Sequence, residues 1–490
     1  MQFDRKKIKV ALFYSSMTKY GTQFLSLVST MIIARILTPA EIGTFAIASA
    51  LVMVMSEFRL LGAGNYLVRE KELTEDKIRA ATGLTMLVSW TLGALIWLLA
   101  PSFSGFYNLE QLTVIFRILS ISFFFAPFIS IPSALLSRKM NFKALFYLKF
   151  GTTLTRIVVT VVLVVLGFSY YGLAWGATLA VFVEFLFVLG FGAAYVRFFP
   201  GVRGLGKIAA FGIYNSASNL LRRGVVTVPD MIIGKMGTPL DVGLFSRGLG
   251  FIQFVSQTLI MGVKPVALPY LANLKNSGGE VAGAYVKASV LIGAIMWPVL
   301  AVASVVSLPV IRLFFGDQWD QSAPYASILA GWAMLRVVNA FSSDLFITNG
   351  REKVLLFRES CVFVFHAFGI FIAFPLGLLS VAYAFLLAGF ADLVLTLFLL
   401  SRFTEIGVGR MLWAWRGNFI ITLICGVQAF LIYQERIFGT GPTESFIIVC
   451  VSLPISWLAL LFILKHPLSL ELGSVARSLI RKFTIKANTK

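Results

Sequence analysis

A stretch of fifteen residues occurs twice in this chain, 200 positions apart. Residues 31–45 read MIIARILTPAEIGTF, and residues 231–245 read MIIGKMGTPLDVGLF. In each copy an apolar run ends near a basic residue, a Thr-Pro turn follows, and an acidic residue stands in the first turn of the next apolar run. Seven identities in register are not expected by chance. We therefore predict a chain built from two related halves.

The composition excludes a soluble globular protein. The 490 residues are 58% hydrophobic and 13% charged, and the mean hydropathy is +0.87. The net charge of +20 is spread between apolar runs and forms no single basic patch, which argues against a nucleic-acid partner and is typical of a protein in the cytoplasmic membrane. With only two histidines, we expect no metal site and no other cofactor.

Fourteen apolar windows are long enough to cross about 30 Å of hydrocarbon. They lie at 11–34, 41–63, 80–100, 113–135, 144–166, 171–195, 208–234, 241–263, 285–309, 323–347, 359–375, 379–400, 417–434 and 445–464. The pattern predicts an all-α polytopic membrane protein with about fourteen transmembrane helices.

The repeat and the windows together predict a domain organisation. Helices 1–6 form an N-lobe in residues 1–200, and helices 7–12 form a C-lobe in residues 201–416. The offset of an even number of helices makes the lobes parallel repeats, related by a pseudo-two-fold axis along the membrane normal. Two extra helices follow in residues 417–464, and residues 465–490 form a basic tail that we expect on the anionic inner leaflet.

Basic residues fall almost entirely on one side of this topology. With a cytoplasmic N-terminus, the loops and termini on that side hold 28 Lys and Arg residues, against four on the other side: Arg35, Lys235, Arg312 and Arg436. The positive-inside rule therefore predicts that both termini are cytoplasmic.

Ten basic residues remain within the predicted helices. Five lie nearer the middle, where each costs about 3 kcal/mol on insertion scales: Lys19, Arg156, Arg222, Arg223 and Arg336. Asn215 and Asn219 extend the polar face of Arg222, and Lys19 corresponds to Asn219 at the 200-residue offset. We predict that these seven residues bind a substrate in a water-filled cavity. The alternative is that they only join helices by hydrogen bonds.

Acidic residues within the predicted helices are fewer. Glu57, Glu184, Asp230 and Asp392 are candidates for binding a coupling ion, and neutralising nearby arginines is the open alternative. Arg223 and Asp230 are seven positions apart on one helix face, which suggests an ion pair beside a bend. We predict no catalytic residues, because the predicted outer loops are about a dozen residues at most.

Four segments carry a resemblance to a known family. They are Ile33-Ala34-Arg35 through Gly43, Leu135 to Phe142, Ala267 to Leu271, and Phe314 to Trp319 followed by Pro324. The chain resembles the Wzx-type flippases of lipid-linked oligosaccharides, which belong to the multidrug/oligosaccharidyl-lipid/polysaccharide exporter superfamily. Many members carry an acid at the end of helix 2. This chain has Leu60-Leu61-Gly62 there, and Glu57 is the nearest candidate to replace that acid.

The resemblance implies a substrate and a mechanism. The substrate would be an undecaprenyl-pyrophosphate-linked repeat unit of O-antigen or exopolysaccharide, moved from the cytoplasmic to the periplasmic leaflet of the bacterial inner membrane by alternating access. Helices 13 and 14 would help form a groove for the polyprenyl tail. Membrane lipids and the polysaccharide polymerase and export proteins are the candidate partners.

Two other functions remain open at this point. One is a MATE-like, cation-coupled exporter of small molecules. The other is a membrane-embedded glycosyltransferase, ligase or polymerase, which the short outer loops disfavour. Buried cations suit a pyrophosphate, because Lys and Arg bind phosphate by charge-assisted hydrogen bonds. An exporter of cationic compounds should show the opposite charge. We therefore expect a transporter and no enzyme.

Overall fold

The structure, a computed structural model, describes residues 5–60, 62–201, 204–404, 406–433 and 442–474. The side chains of a few of these are not described: 5–12, 60, 207, 210–215, 265 and 442–443. The side chain of the predicted site residue Asn215 and tail residues 475–490 thus lie outside the described part.

The described chain contains eighteen α-helices. The first nine are α1 (Arg5–Ile36), α2 (Pro39–Leu60), α3 (Ala63–Arg69), α4 (Glu75–Tyr107), α5 (Gln111–Arg138), α6 (Phe142–Leu163), α7 (Ser169–Gly192), α8 (Leu205–Met236) and α9 (Pro239–Ile260). The others are α10 (Lys264–Asn276), α11 (Val281–Val305), α12 (Ser307–Phe315), α13 (Ala323–Val338), α14 (Ser342–Thr348), α15 (Glu352–Ala373), α16 (Leu378–Phe403), α17 (Val408–Tyr433) and α18 (Pro442–Ile463).

This architecture confirms the predicted all-α polytopic membrane fold. Fourteen of the described helices have 16 residues or more, and each overlaps one predicted window. By length and composition, nine helical segments of the described chain could cross a membrane, and one of them runs through both α6 and α7. Fourteen crossings therefore remain a prediction.

Helix boundaries differ from the predicted windows at two informative places. The window 323–347 is interrupted after Val338, where Asn339 caps α13 and α14 starts at Ser342. Asn is a weaker helix former than the Ala, Met and Leu residues one turn earlier, and hydropathy does not register this because the apolar run continues. Helix α15 begins at Glu352, seven residues before the predicted start. Arg358, predicted to lie in a cytoplasmic loop, is therefore inside a helix and buried.

The two Thr-Pro turns have the same local structure. Helices α1 and α8 end at Ile36 and Met236, and α2 and α9 begin at the prolines. The carboxylate of Glu41 accepts hydrogen bonds from the N–H and the hydroxyl of Thr38, both at 2.8 Å, and Asp241 does the same for Thr238 at 2.9 and 2.7 Å. These are capping boxes, which satisfy N–H groups at a helix start.

The turns also pack against each other reciprocally. A Cβ atom on Gly43 would overlap the carbonyl oxygen of Pro239, and a Cβ atom on Gly243 would overlap that of Pro39. Only glycine permits this approach of two backbones. The reciprocity supports the predicted internal two-fold relationship at this position.

The chain divides into two compact units. The first unit comprises residues 1–247, 314–321 and 359–381, and the second comprises 248–313, 322–358 and 382–490. These units cut the chain differently from the predicted lobes, which stay a prediction. In the first unit, apolar side chains of α4 and α5 pack with those of α3 and α7. In the second, α11, α17 and α18 share an apolar core.

Segment 314–321 caps the C-terminal end of α1 in the first unit. The indole N–H of the fully buried Trp319 donates to the carbonyl of Ala34 at 2.8 Å. The Gln318 amide donates to the same carbonyl and to that of Leu37, the latter at 3.3 Å. These bonds satisfy carbonyls that the last turn of α1 leaves without intrahelical partners.

Candidate functional site

Two predicted substrate-binding cations in the first unit have no counter-charge among the residues that the structure describes. Lys19 is half-buried on α1 and Arg156 is exposed on α6. Among the described residues, neither side-chain cation has a hydrogen-bond or ion-pair partner. Asn219, on α8, is half-buried. Since a fixed cation without a carboxylate attracts an anion most strongly where water is scarce, these positions suit a phosphate group.

Two adjacent arginines of α8 each meet a carboxylate from another helix. Arg223 Nε lies 3.1 Å from Glu57 Oε1 on α2. Arg222 Nε lies 3.7 Å from Glu359 Oε1 on α15, a distance too long for a hydrogen bond. Arg222 Nε is enclosed and has no hydrogen-bond partner in the described part of the chain.

A close helix contact places Glu359 beside Arg222. A Cβ atom on Gly224 would lie 2.6 Å from Cε2 of Phe363, so glycine lets α15 approach α8 at this level. Phe363 is four residues, about one turn, after Glu359. Glu359 was not among the predicted acids, because its helix was predicted to start there. The left-handed turn at Gly350 and the acidic Glu352 were the signals of an earlier start.

The predicted ion pair between Arg223 and Asp230 is wrong. Arg223 pairs with Glu57, and the carboxylate of Asp230 accepts a hydrogen bond from the hydroxyl of Ser246 on α9. A spacing of seven places two residues on one face almost two turns apart, which is too far for direct contact. Asp230 has no basic partner among the described residues.

Two further predicted acids are engaged by basic side chains. In the first unit, the buried Glu184 on α7 accepts a hydrogen bond from Lys149 Nζ of α6 at 2.6 Å. Arg59 lies within electrostatic range of Glu184 and Glu57. Lys149 is one of the ten basic residues within the predicted helices but not one of the five nearer the middle, and the sequence did not indicate this pair.

In the second unit, Asp392 forms a buried pair with Arg358. Arg358 Nη2 donates to Asp392 Oδ1 at 2.7 Å, and Thr396 Oγ1 bridges the two side chains at 2.6 and 3.0 Å. The side chains of Arg358 and Asp392 are 8% and 2% exposed. Such a pair occupies the carboxylate that a coupling ion would need.

The fifth predicted cation, Arg336, belongs to the second unit. Its guanidinium lies over the ring of Trp332, 4.8 Å from the centroid, an arrangement that stabilises a cation. One turn away, the side-chain amide of the buried Asn339 has no hydrogen-bond partner among the described residues.

An apolar cavity of about 280 Å³ lies in the second unit. It is lined by α11, α17 and α18, through side chains such as Pro298, Cys425, Leu453 and Trp457. Its chemistry suits a hydrocarbon chain. The residues that the structure describes contain no cluster of His, Cys, Asp and Glu able to hold a metal ion.

Apolar helices long enough to cross a membrane, with buried ion pairs on several of them, define a multi-pass membrane protein. The chain belongs to a family described as polysaccharide biosynthesis proteins, whose model matches residues 32–324. This membership agrees with the predicted resemblance and with a transporter, in preference to an enzyme. It also agrees with the cytoplasmic membrane as the location.

Curated relatives of this chain are named for the biosynthesis of teichuronic acid and of lipopolysaccharide. The teichuronic acid biosynthesis protein TuaB of Bacillus subtilis is 22% identical over 384 residues, which cover 76% of this chain and 77% of that protein. The lipopolysaccharide biosynthesis protein WzxC of Escherichia coli is 22% identical over 402 residues, with 77% of each chain covered.

A solved structure shares the fold. The lipid II flippase MurJ, in an inward closed conformation, matches with a TM-score of 0.76 and 14% sequence identity. The match covers 92% of this chain and 98% of that one. The likeness at this identity concerns the fold alone.

Proposed function

We propose that this protein is a flippase for lipid-linked oligosaccharide repeat units of O-antigen or exopolysaccharide. The proposal is carried by two cations of the first unit, Lys19 and Arg156, for which the described part of the chain supplies no counter-charge. The same unit also contains Arg222 and Arg223. A membrane protein places such charges in helices at a cost of several kcal/mol in total. A pyrophosphate that crosses the membrane with its lipid repays that cost.

Each part of the substrate has a proposed binding region. Lys19, Arg156, Arg222 and Arg223 bind the pyrophosphate, and Arg336 assists during the transport cycle. The amides of Asn215 and Asn219 bind phosphate or the first sugar. The apolar cavity lined by α11, α17 and α18 takes part of the undecaprenyl tail, since its wall is almost wholly hydrocarbon.

Asp230 is the best supported candidate for ion coupling. Its described partner is the neutral hydroxyl of Ser246, whereas Glu57, Glu184 and Asp392 each face a basic group. A carboxylate without a fixed cation can take up and release a proton or a metal cation. We propose that Glu184 and Asp392 act mainly as counter-charges.

The proposed orientation follows the charge asymmetry of the loops. Both termini lie in the cytoplasm, fourteen helices cross the membrane, and two six-helix lobes alternate between access to each side. The polysaccharide polymerase and export proteins, which would take the flipped product, are proposed partners.

The alternative function is a MATE-like exporter of small cationic compounds. The surplus of cations in the first unit opposes it, because like charges repel. Reconstitution into vesicles decides between the two. We expect the purified protein to move a fluorescent undecaprenyl-diphosphate sugar to the leaflet where dithionite quenches it, and Arg156→Ala to abolish that movement. Uptake of a cationic dye by the same vesicles, with no movement of the lipid, would refute the flippase.

A further inference from the structure

Arg222 and Arg223 each have Nε nearest to a carboxylate that comes from a different helix. In both ion pairs the nitrogen nearest the carboxylate is Nε, at 3.7 Å for Arg222 and 3.1 Å for Arg223. No described residue hydrogen-bonds the terminal nitrogens of either guanidinium. The Arg223 side chain is 56% exposed, so its terminal edge is open to a ligand.

We propose that Glu57 and Glu359 are positioning residues for the diphosphate of the substrate, an inference that rests on the proposed function. Each carboxylate attracts one guanidinium at its Nε edge, in the case of Arg222 without a hydrogen bond, and leaves the terminal nitrogens to a phosphoryl group. A guanidinium offers five donors in a planar fork, so one edge can bind an acid while the other binds phosphate in a bidentate manner.

Charge alone does not explain these acids. A carboxylate beside a phosphate-binding cation cancels part of its field and competes with the ligand. Glu359 is moreover buried, with 5% of its side chain exposed, and a buried carboxylate is costly. The benefit of the carboxylates is that they orient the arginines before the ligand binds. An unrestrained arginine side chain would lose much rotamer freedom on binding, which lowers its affinity for the ligand.

The helix geometry makes orientation necessary. Neighbouring residues on a helix point about 100° apart, so Arg222 and Arg223 would diverge if they were unrestrained. Glu57 reaches Arg223 from α2, and Glu359 reaches Arg222 from α15. The contact of Gly224 with Phe363 fixes the distance between α8 and α15 at this level. Two restrained forks match the two phosphoryl groups of a diphosphate, and a monophosphate can use only one.

The test asks whether removing the carboxylate of Glu57 or Glu359 weakens or strengthens the binding of a diphosphate. Purified full-length protein in detergent is titrated by calorimetry with farnesyl diphosphate and farnesyl monophosphate. We expect Glu57→Gln and Glu359→Gln to weaken diphosphate binding by about tenfold, although each variant loses one negative charge. Monophosphate binding should change less. If the acids were only counter-charges, both ligands would bind more tightly.

A matched control removes an arginine-bound carboxylate elsewhere. Glu75 pairs with Arg197 and Arg79 at the start of α4. Glu75→Gln should leave both affinities unchanged. Melting temperatures of all variants establish that they are folded. If the Glu359→Gln variant does not fold, the affinity of the Glu57→Gln variant alone tests the proposal, because the Glu57 side chain is 19% exposed and less critical for folding.

A double variant tests whether Glu57 acts through its arginine. In an Arg223→Ala background, Glu57→Gln should have no further effect on diphosphate binding, because there is no guanidinium left to orient. An equal loss in both backgrounds would overturn the proposal.

The outcomes separate this inference from the proposed function. If the wild-type protein binds no farnesyl diphosphate, the proposed flippase function fails with it. If the wild type binds and Arg223→Ala weakens binding, but Glu57→Gln binds as tightly as the wild type or more tightly, only the positioning role is overturned.

Discussion

Arg156 shows how a single residue can report on function. Its guanidinium has no partner among the described residues, so its removal breaks no ion pair that the structure shows. Stability and activity can therefore be separated at this position more easily than at the paired arginines.

Arg156→Ala should abolish most transport and leave protein abundance unchanged. Losing one charged partner of a phosphate costs about 2 kcal/mol or more, which corresponds to roughly thirtyfold. Arg156→Lys should recover part of the activity, because the charge remains and the fork is lost. The measurement is transport per molecule of inserted protein, with Arg79→Ala in an exposed ion pair as the control. A parallel fall in abundance and activity would show a structural role.

Asp392→Asn should destabilise the protein by about 3–5 kcal/mol, because Arg358 would remain buried and lose its ion pair with Asp392. The double variant Arg358→Met/Asp392→Leu should regain most of that stability. Thermal unfolding in detergent measures both. The ion-coupling hypothesis predicts the reverse pattern: a stable Asp392→Asn variant whose transport no longer responds to an ion gradient.

His466 should make the segment after α18 sensitive to acid. Its Nδ1 accepts a hydrogen bond from the N–H of Leu468 at 3.1 Å, and its ring lies against Gly417. Burial lowers the pKa of His466 below its usual value near 6.5, because desolvation disfavours the imidazolium. The unfolded segment then binds more protons than the folded one. Its stability is complete above about pH 6.5 and is lost as the pH falls towards the depressed pKa.

Hydrogen exchange of residues 464–474 measures this effect. We expect faster exchange at pH 5.5 than at pH 7.5, after correction for the intrinsic rates. In a His466→Asn variant the difference should disappear. Equal acid sensitivity in the variant would assign the effect to another group.

At the scale of elements, the contact between the two Thr-Pro turns has no room for a side chain. Gly243→Ala should lower stability by about 1–3 kcal/mol, since its Cβ would overlap the Pro39 carbonyl and one backbone must move. Gly250→Ala, in the same helix with no atom within 4 Å of the added carbon, should be neutral or stabilising. The melting temperatures of the two variants measure the difference in stability. Equal melting temperatures would mean that the two turns can move apart without cost.

The sequence predicted long helices well because the membrane requires them. A span must be apolar over about 20 residues and must satisfy its own hydrogen bonds, so hydropathy alone locates it. The sequence did not predict the break at Asn339 or the early start of α15, because a hydropathy profile does not register helix caps. Because the start of α15 was predicted too late, Arg358 and Glu359 were not recognised as helix residues. They are the partners of Asp392 and Arg222.

Partners across helices were the least predictable part of the site. The cations themselves were found by their insertion cost, which needs no knowledge of neighbours. Glu57 and Arg223 are far apart in the chain, and the sequence carries no register between α2 and α8. Within α8, the spacing of seven residues wrongly suggested Asp230 as the partner of Arg223.

At the scale of the whole molecule, the charge asymmetry predicts an orientation. In a background without the free cysteines Cys361, Cys425 and Cys450, new cysteines at Asn108 and Gln321 should react with an impermeant thiol reagent added to intact cells. Cysteines at Asn141 and Asn276 should react only after permeabilisation. Reversed labelling at either pair would refute the orientation and with it the direction of transport.

The reciprocal glycine contact also has a consequence for biosynthesis. The turn at Pro39 cannot meet its counterpart at Pro239 until 200 further residues have left the ribosome. At about 5–20 residues per second, the first turn waits on the order of ten seconds or more in the bilayer without its partner. During that interval the early helices present an unfinished surface to lipids, insertases and other nascent chains. Slower translation of α3 to α7 would lengthen this exposure, and expression yield is therefore expected to depend on codon usage in the first half of the gene.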